Sequence, residues 1–237
     1  MPETTPDKLN PDGSTWLTHQ WVVAGIVSSA ARFIPIPFVD DVIRSRCRQF
    51  VVSRTLAAHQ RTDLLDDLKP FFDSSGGCLN GCVATAVKAP LKLLLFPVRK
   101  FVAIVTSIRG VPLEIMRMVL LGRTLDRHLR DESATIDPTQ SARMRLAFEE
   151  SFARIDFRVV RAAMTDALTS VKGWKSAAIA TARGLADSGT GADEAIEPEP
   201  KIDAGAANIQ QVLDRPETLD LFAEFDRRFD EALKRIG

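Results

Sequence analysis

Tyrosine is missing from these 237 residues, cysteine and histidine occur three times each, and no useful window alternates apolar and polar residues. Each scarcity excludes something. Three cysteines cannot frame a disulfide scaffold in a chain of this size, and without alternation a half-buried sheet has no basis. His19, His59 and His128 stand alone, and Cys78-x3-Cys82 is at most half a metal site, so no metal or other cofactor is predicted. No Gly-rich run precedes a Lys-Ser or Lys-Thr pair, which excludes a P-loop. The longest charge-free stretch, residues 13–31, has nineteen residues of which ten are apolar. A spanning helix needs about 20 predominantly apolar residues, so no ordinary transmembrane helix is predicted.

A secretory leader is lacking too: Lys8 is the only cation among Pro2, Glu3, Pro6, Asp7, Pro11 and Asp12. This predicts an intracellular chain with Cys47, Cys78 and Cys82 as reduced thiols. With 31 basic and 31 acidic side chains the net charge is zero, which argues against a polyelectrolyte and against a globally basic nucleic-acid binder. No nucleic acid is expected as a partner.

What is present is helical periodicity. The fold class predicted is all-α, a multi-helix bundle with Pro-broken amphipathic and apolar hairpins. A first helix starts after Ser14 or Thr15 and carries Trp16, Trp21, Val22, Ile26 and Val27 until Ile34-Pro35-Ile36-Pro37 stops it. A second begins at Asp40 or Asp41 with Ile43, Cys47, Phe50 and Val51 inside and Arg44, Arg48 and Arg54 largely outside. Leu64 to Phe72 form a short helix, and a longer one runs from Leu113 to about Arg130. Asp137-Pro138 opens a periodic segment of nearly thirty residues through Met144, Phe148, Phe152, Ile155 and Val159. Residues 1–14 are predicted disordered, 15–185 a helical domain, 186–213 an acidic flexible linker, and 214–237 a C-terminal amphipathic helix.

Acids are absent from residues 74–113, forty positions that hold 22 apolar residues and five cations, Lys88, Lys92, Arg99, Lys100 and Arg109. Apolar helices whose only charges are cationic suit an anionic lipid interface, where apolar faces enter the acyl boundary and cations meet phosphates. Ordinary core helices with basic residues snorkelling at the rim carry the same pattern. Cys78 and Cys82 read better as buried thiols than as acylation sites. Residues 1–40 hold 2 cations and 4 acids, residues 41–183 hold 23 and 14, and residues 184–237 hold 6 and 13. A basic body and an acidic tail predict either an anionic partner for the body or a tail folded back on it.

The small-residue helix from Val23 to Ala31, then Ile34-Pro35-Ile36-Pro37-Phe38-Val39-Asp40-Asp41, then a helix with spaced arginines, resembles the membrane-associated helical hairpins that accompany some bacterial dynamin-like and Era-like GTPases. The resemblance covers about 35 residues. Phe38 stands where that family usually has glycine. Membrane association without known catalysis is what the resemblance implies.

Paired carboxylates on helices, Asp40-Asp41 and Asp63-x2-Asp66-Asp67, raise a magnesium–diphosphate site of the prenyl-transfer kind. The second cluster has the reverse of the Asp-Asp-x-x-Asp spacing, and capping accounts for the first. No catalytic residue is therefore predicted. The expectation is a non-enzymatic protein at the cytoplasmic face of the membrane, lying in it through Trp16–Val39 and Val83–Leu121. Trp16, Trp21, Lys88, Lys92, Arg99, Lys100 and Arg109 are its predicted lipid contacts, with the acidic tail competing for the basic body. The competing expectation is a soluble helical adaptor that docks a protein partner through Phe222, Phe225, Phe229 and Leu233.

Overall fold

The charge-free stretch becomes the central helix, α1 (Pro11–Ala30), in which every residue from Trp21 to Ala30 is buried. A computed structural model describes residues 11–36, 38–73, 110–130, 136–187, 196 and 198–237. Among these the protein is all-α, without a strand. A 3-10 turn (Ala31–Phe33) follows α1, then α2 (Val39–Ala58), a second 3-10 turn (Thr62–Leu65) and the single turn α3 (Lys69–Phe72). After Gly110 come α4 (Val111–Leu129), α5 (Pro138–Ala153), α6 (Arg158–Thr169), α7 (Trp174–Asp187), α8 (Pro200–Leu213) and α9 (Pro216–Ile236).

α1 begins at Pro11, ahead of the predicted Ser14 or Thr15, because proline at a first helical position gives up no bonded amide. It is apolar all round since α2, α4, α7 and α8 pack about it. α1 and α4 run antiparallel and very close. A Cβ on Gly25 would stand 2.6 Å from the Ile115 backbone, and one on Gly122 would stand 2.3 Å from the Trp21 indole. Trp21 Nε1 donates to Thr55 Oγ1 at 3.0 Å, and Thr55 donates to the Val51 carbonyl at 2.7 Å, which ties α2 into the same seam. Both buried hydroxyl and indole are thereby satisfied.

Asp137 caps α5 as the sequence predicts, its side chain accepting from the Gln140 amide at 2.7 Å with Pro138 in the first turn. The predicted thirty-residue helix is three helices: the chain turns at Arg154–Phe157 and again at Ser170–Gly173, where Gly173 takes φ +86°. α5, α6 and α7 all turn an apolar face to one core, but Val159 of the predicted stripe is exposed and Val160 takes the core position.

The predicted flexible linker needs correction as well. Residues 200–213 are helix α8, whose Ile202, Ala206, Ile209, Val212 and Leu213 are buried against α1 and α6. Its alanines and glycine pack closely where larger residues would not. The acidic tail is folded back on the body. Arg123 donates to Asp226 at 2.8 Å, Arg127 pairs with Asp230, Arg235 pairs with Glu150, and His19 Nε2 lies 2.7 Å from Asp203.

Replacing Gly122 by Ala gains helix propensity, yet the indole 2.3 Å away must move, and overpacking of this kind costs ~1–3 kcal/mol. The expected result is a lower unfolding midpoint for Gly122→Ala. Gly184→Ala, with nothing within 4 Å, should instead stabilise by about 0.5–1 kcal/mol. Chemical denaturation of both variants beside the native chain checks the pair.

Candidate functional site

At the C-terminal end of α1 the chain must leave a fully buried helix and enter a half-exposed one, and the Pro-rich turn makes that change. Ile34 is still buried, but Ile36 is 50% exposed, Phe38 72% and Val42 42%. Three neighbouring large apolar side chains therefore face solvent at one turn. Phe38 also holds φ 65°, the left-handed region that glycine enters freely and that costs other residues on the order of 1 kcal/mol.

Arginines gather beside this turn. Arg32 follows α1, and its guanidinium packs against Gly110, leaving no room for a Cβ there. Arg44 and Arg48 lie one helical turn apart on α2 and so share a face. The Nε atoms of Arg32, Arg44 and Arg48 are closed off from solvent and have no hydrogen-bond acceptor. Burial pulls Arg32 below its ordinary guanidinium value, with Glu114 opposing and Arg44 adding to the effect. Arg48 is lowered in the same way by burial, with Glu114 opposing and Arg145 and Arg117 adding. Guanidinium groups stay charged nonetheless. Glu114, the acid common to both, accepts from Ser28 Oγ at 2.7 Å. Arg117 is committed to Glu149 at 2.7 Å and lies over the Phe152 ring, while Arg145 donates to the backbone carbonyl of Asp73.

The described chain, which breaks off at Asp73, resumes at this corner with Gly110. Lys88, Lys92, Arg99, Lys100 and Arg109, with Cys78 and Cys82, lie outside the described residues. Of the predicted lipid contacts that are described, Trp16 is 49% exposed but Trp21 is buried. Trp21 cannot touch lipid, because its ring fills the space over Gly122 and its indole N–H is spent on Thr55. The predicted insertion of residues 16–39 is corrected for the same reason: protein, on all sides, surrounds Trp21 to Ala31.

The predicted docking face is corrected too. Phe222, Phe225 and Phe229 are buried and Leu233 is packed against the core; Phe225 meets Phe148 edge-on at 5.4 Å and Phe229 meets His128 at 5.4 Å. That face is occupied by the chain itself. Sequence reasoning passed over Arg32, Arg44 and Arg48 as solvated side chains. The signal available was Arg44-x3-Arg48 on a helix that adjoins an acid-free stretch.

Among the described residues no helix is long and apolar enough to cross a membrane, and no three His, Cys, Asp or Glu gather as a metal set. Cys47, between Arg44 and Arg48 but facing inward, is held far above the ordinary thiol range by burial, with the Glu114 charge adding to the rise and Arg48 opposing it. A thiol raised on folding binds its proton more tightly in the native state, so the stability it confers is present below the ordinary thiol value of about 8.5 and declines above it. The native chain should lose up to about 1.4 kcal/mol per pH unit relative to Cys47→Ala between pH 8.5 and 10, read by urea denaturation of both proteins.

No protein-family model, curated protein or solved structure matches this chain.

Proposed function

We propose that this is a non-enzymatic protein that associates peripherally with the anionic, cytoplasmic leaflet of a membrane through the α1–α2 turn and the acid-free segment rooted beside it. The observation that carries the reading is the exposed trio Ile36, Phe38 and Val42 at the corner where the described chain resumes at Gly110. An exposed apolar turn of this size gains by entering the acyl boundary, at about 1.5–3 kcal/mol for a buried Phe or Ile side chain. The flanking segment supplies Lys88, Lys92, Arg99, Lys100 and Arg109 and no acid to repel phosphates. Near an anionic leaflet each such cation contributes roughly 1 kcal/mol. The resemblance to GTPase-associated membrane hairpins points the same way, and the φ of Phe38 is one that the glycine usual in that family would adopt without strain.

Two of the acidic tail's ion pairs lie away from this face. There Asp226 and Asp230 meet Arg123 and Arg127, thirteen and seventeen positions along the chain from Gly110. At 1.5 Å per residue that is about 20–25 Å, beyond a Debye length of roughly 8–10 Å. An adaptor using the Phe face of α9 would have to strip that helix from the core, so the membrane reading is preferred.

Phe38→Gly separates folding from binding. It removes the outermost apolar side chain and relieves the left-handed backbone, so the unfolding midpoint should hold or rise while vesicle binding weakens about tenfold. Flotation with phosphatidylglycerol vesicles, compared with neutral phosphatidylcholine, measures this. A native chain that stays at the bottom of the gradient with both compositions sinks the proposal.

A further inference from the structure

The three arginines at the α1–α2 corner are hard to explain as structural residues. Arginines that hold a fold are paired, as Arg117 is with Glu149; Arg123, whose Nε is also enclosed without an acceptor, still pairs with Asp226 through Nη2. Arg32, Arg44 and Arg48 are half-buried, carry enclosed Nε atoms without an acceptor, and have no carboxylate within ion-pair distance among the described residues. Arg44 disfavours the charge on Arg32, and Arg145 and Arg117 disfavour that on Arg48.

Among the described residues no carboxylate forms an ion pair with any of the three. Glu114 favours the charge on Arg32 and on Arg48 but is engaged by Ser28, and Glu149 favours that on Arg48 but is engaged by Arg117. Asp40 and Asp41 stand four and three positions before Arg44 on α2, yet neither forms an ion pair with it. Residues 74–113 contain no Asp or Glu. Asp226 and Asp230 of the tail are engaged by Arg123 and Arg127.

We propose that Arg32, Arg44 and Arg48 form a binding site for a phosphate group, at the corner where α1, α2 and α4 meet. Planar guanidinium forks match the oxygens of a phosphate bidentately, and a doubly charged anion answers three cations and one carboxylate better than a single carboxylate would. All three positions being Arg instead of Lys fits this geometry. A lipid headgroup and a soluble phosphorylated molecule present the same phosphate chemistry, so the site goes beyond the membrane reading and does not depend on it.

The full chain is titrated with inorganic phosphate and pyrophosphate at low salt by calorimetry and thermal shift. It is also floated with vesicles containing phosphatidic acid or, at matched surface charge, phosphatidylglycerol. Arg44→Gln and Arg48→Gln are compared throughout. A site predicts that each substitution weakens phosphate binding about tenfold or more, since a charge-assisted contact is worth about that factor. It also predicts that phosphate-free melting temperatures hold or rise, because a mutually repelling cation has been removed. Saturation by free pyrophosphate that also releases the chain from vesicles assigns a soluble ligand. A preference for phosphatidic acid over phosphatidylglycerol that both substitutions abolish assigns a headgroup. The site is overturned if the native chain shows neither free-phosphate binding nor that preference, if both variants bind as the native chain does, or if their phosphate-free melting temperatures fall steeply, which would mark them as structural. Flotation with phosphatidylglycerol that survives both substitutions, in a native chain that shows neither free-phosphate binding nor a phosphatidic acid preference, keeps the membrane reading while removing the site. Phosphate binding without any flotation would do the reverse.

Discussion

Because Gly25 and Gly122 carry no side chains, α1 and α4 approach to a separation that a Cβ on either would forbid, with Ile115 and the Trp21 indole occupying the vacated space. The rest of the architecture is set by this seam. It fixes the antiparallel alignment that brings Ser28 to Glu114 and Arg32 to Gly110. It also pins α2, because the indole that covers Gly122 donates to Thr55 on that helix. Interiors are packed to crystal-like density and transmit small displacements instead of absorbing them. The corner with its three arginines is therefore positioned by contacts that begin ten or more residues away, at the glycines.

Charge is sorted along the same two helices. Where α4 ends, its arginines are met by Asp226 and Asp230 of the tail, and early in α1, His19 lies between Asp203 and Gln210 of α8. These pairs range from part-buried to exposed, and an exposed ion pair typically contributes about 0–1 kcal/mol. The tail also docks by apolar burial. Phe225 and Phe229 are wholly buried, and each such side chain contributes about 1.5–3 kcal/mol. At the other end of α4, among the described residues, the Nε atoms of Arg32, Arg44 and Arg48 are left without an acceptor.

Local chemistry was legible where it had only one use. Asp137-Pro138 could only open a helix and Ile34-Pro35 could only close one, whereas the apolar stripe of α9 had two uses, a core or a partner, and the structure puts Phe222, Phe225 and Phe229 in the core. The all-α class followed from such signals. Reading failed where two causes leave one trace. Residues 200–213 look like a linker by composition, yet Ile202, Ile209 and Leu213 keep helical spacing, and small residues are what a helix pressed against α1 requires. The apparent periodicity from Met144 to Val159 is broken at the turn Arg154–Phe157: Val159 is exposed and Val160 takes the core position, while α5 and α6 both bury residues in one core. A charge-free helix looks the same whether lipid or protein surrounds it. Only the packing of four neighbours decided for Trp21 and Ile26. For the corner, sequence showed the absence of acids but not that Arg32, forty-two positions before the acid-free stretch begins, would lie against Gly110 near its end.

Two features of that corner act against folding, and their coincidence is informative. A Phe at φ 65° would be better as Gly, and three half-buried arginines without acceptors would be better as paired or apolar residues. Elsewhere in the described chain most local preferences agree with tertiary role: prolines open helices, an Asp caps and glycines sit where backbones touch, although Gln60 also holds φ 56° and Arg123 Nε also lacks an acceptor. Where several such departures fall together, something other than folding sets the residues. An exposed aromatic and an unpaired cation gain nothing from each other in water. Beside an anionic interface both deficits close together, the ring by leaving water and the guanidinium groups by meeting phosphate. That shared remedy is why one end of the molecule, and no other described surface, is read as the working face.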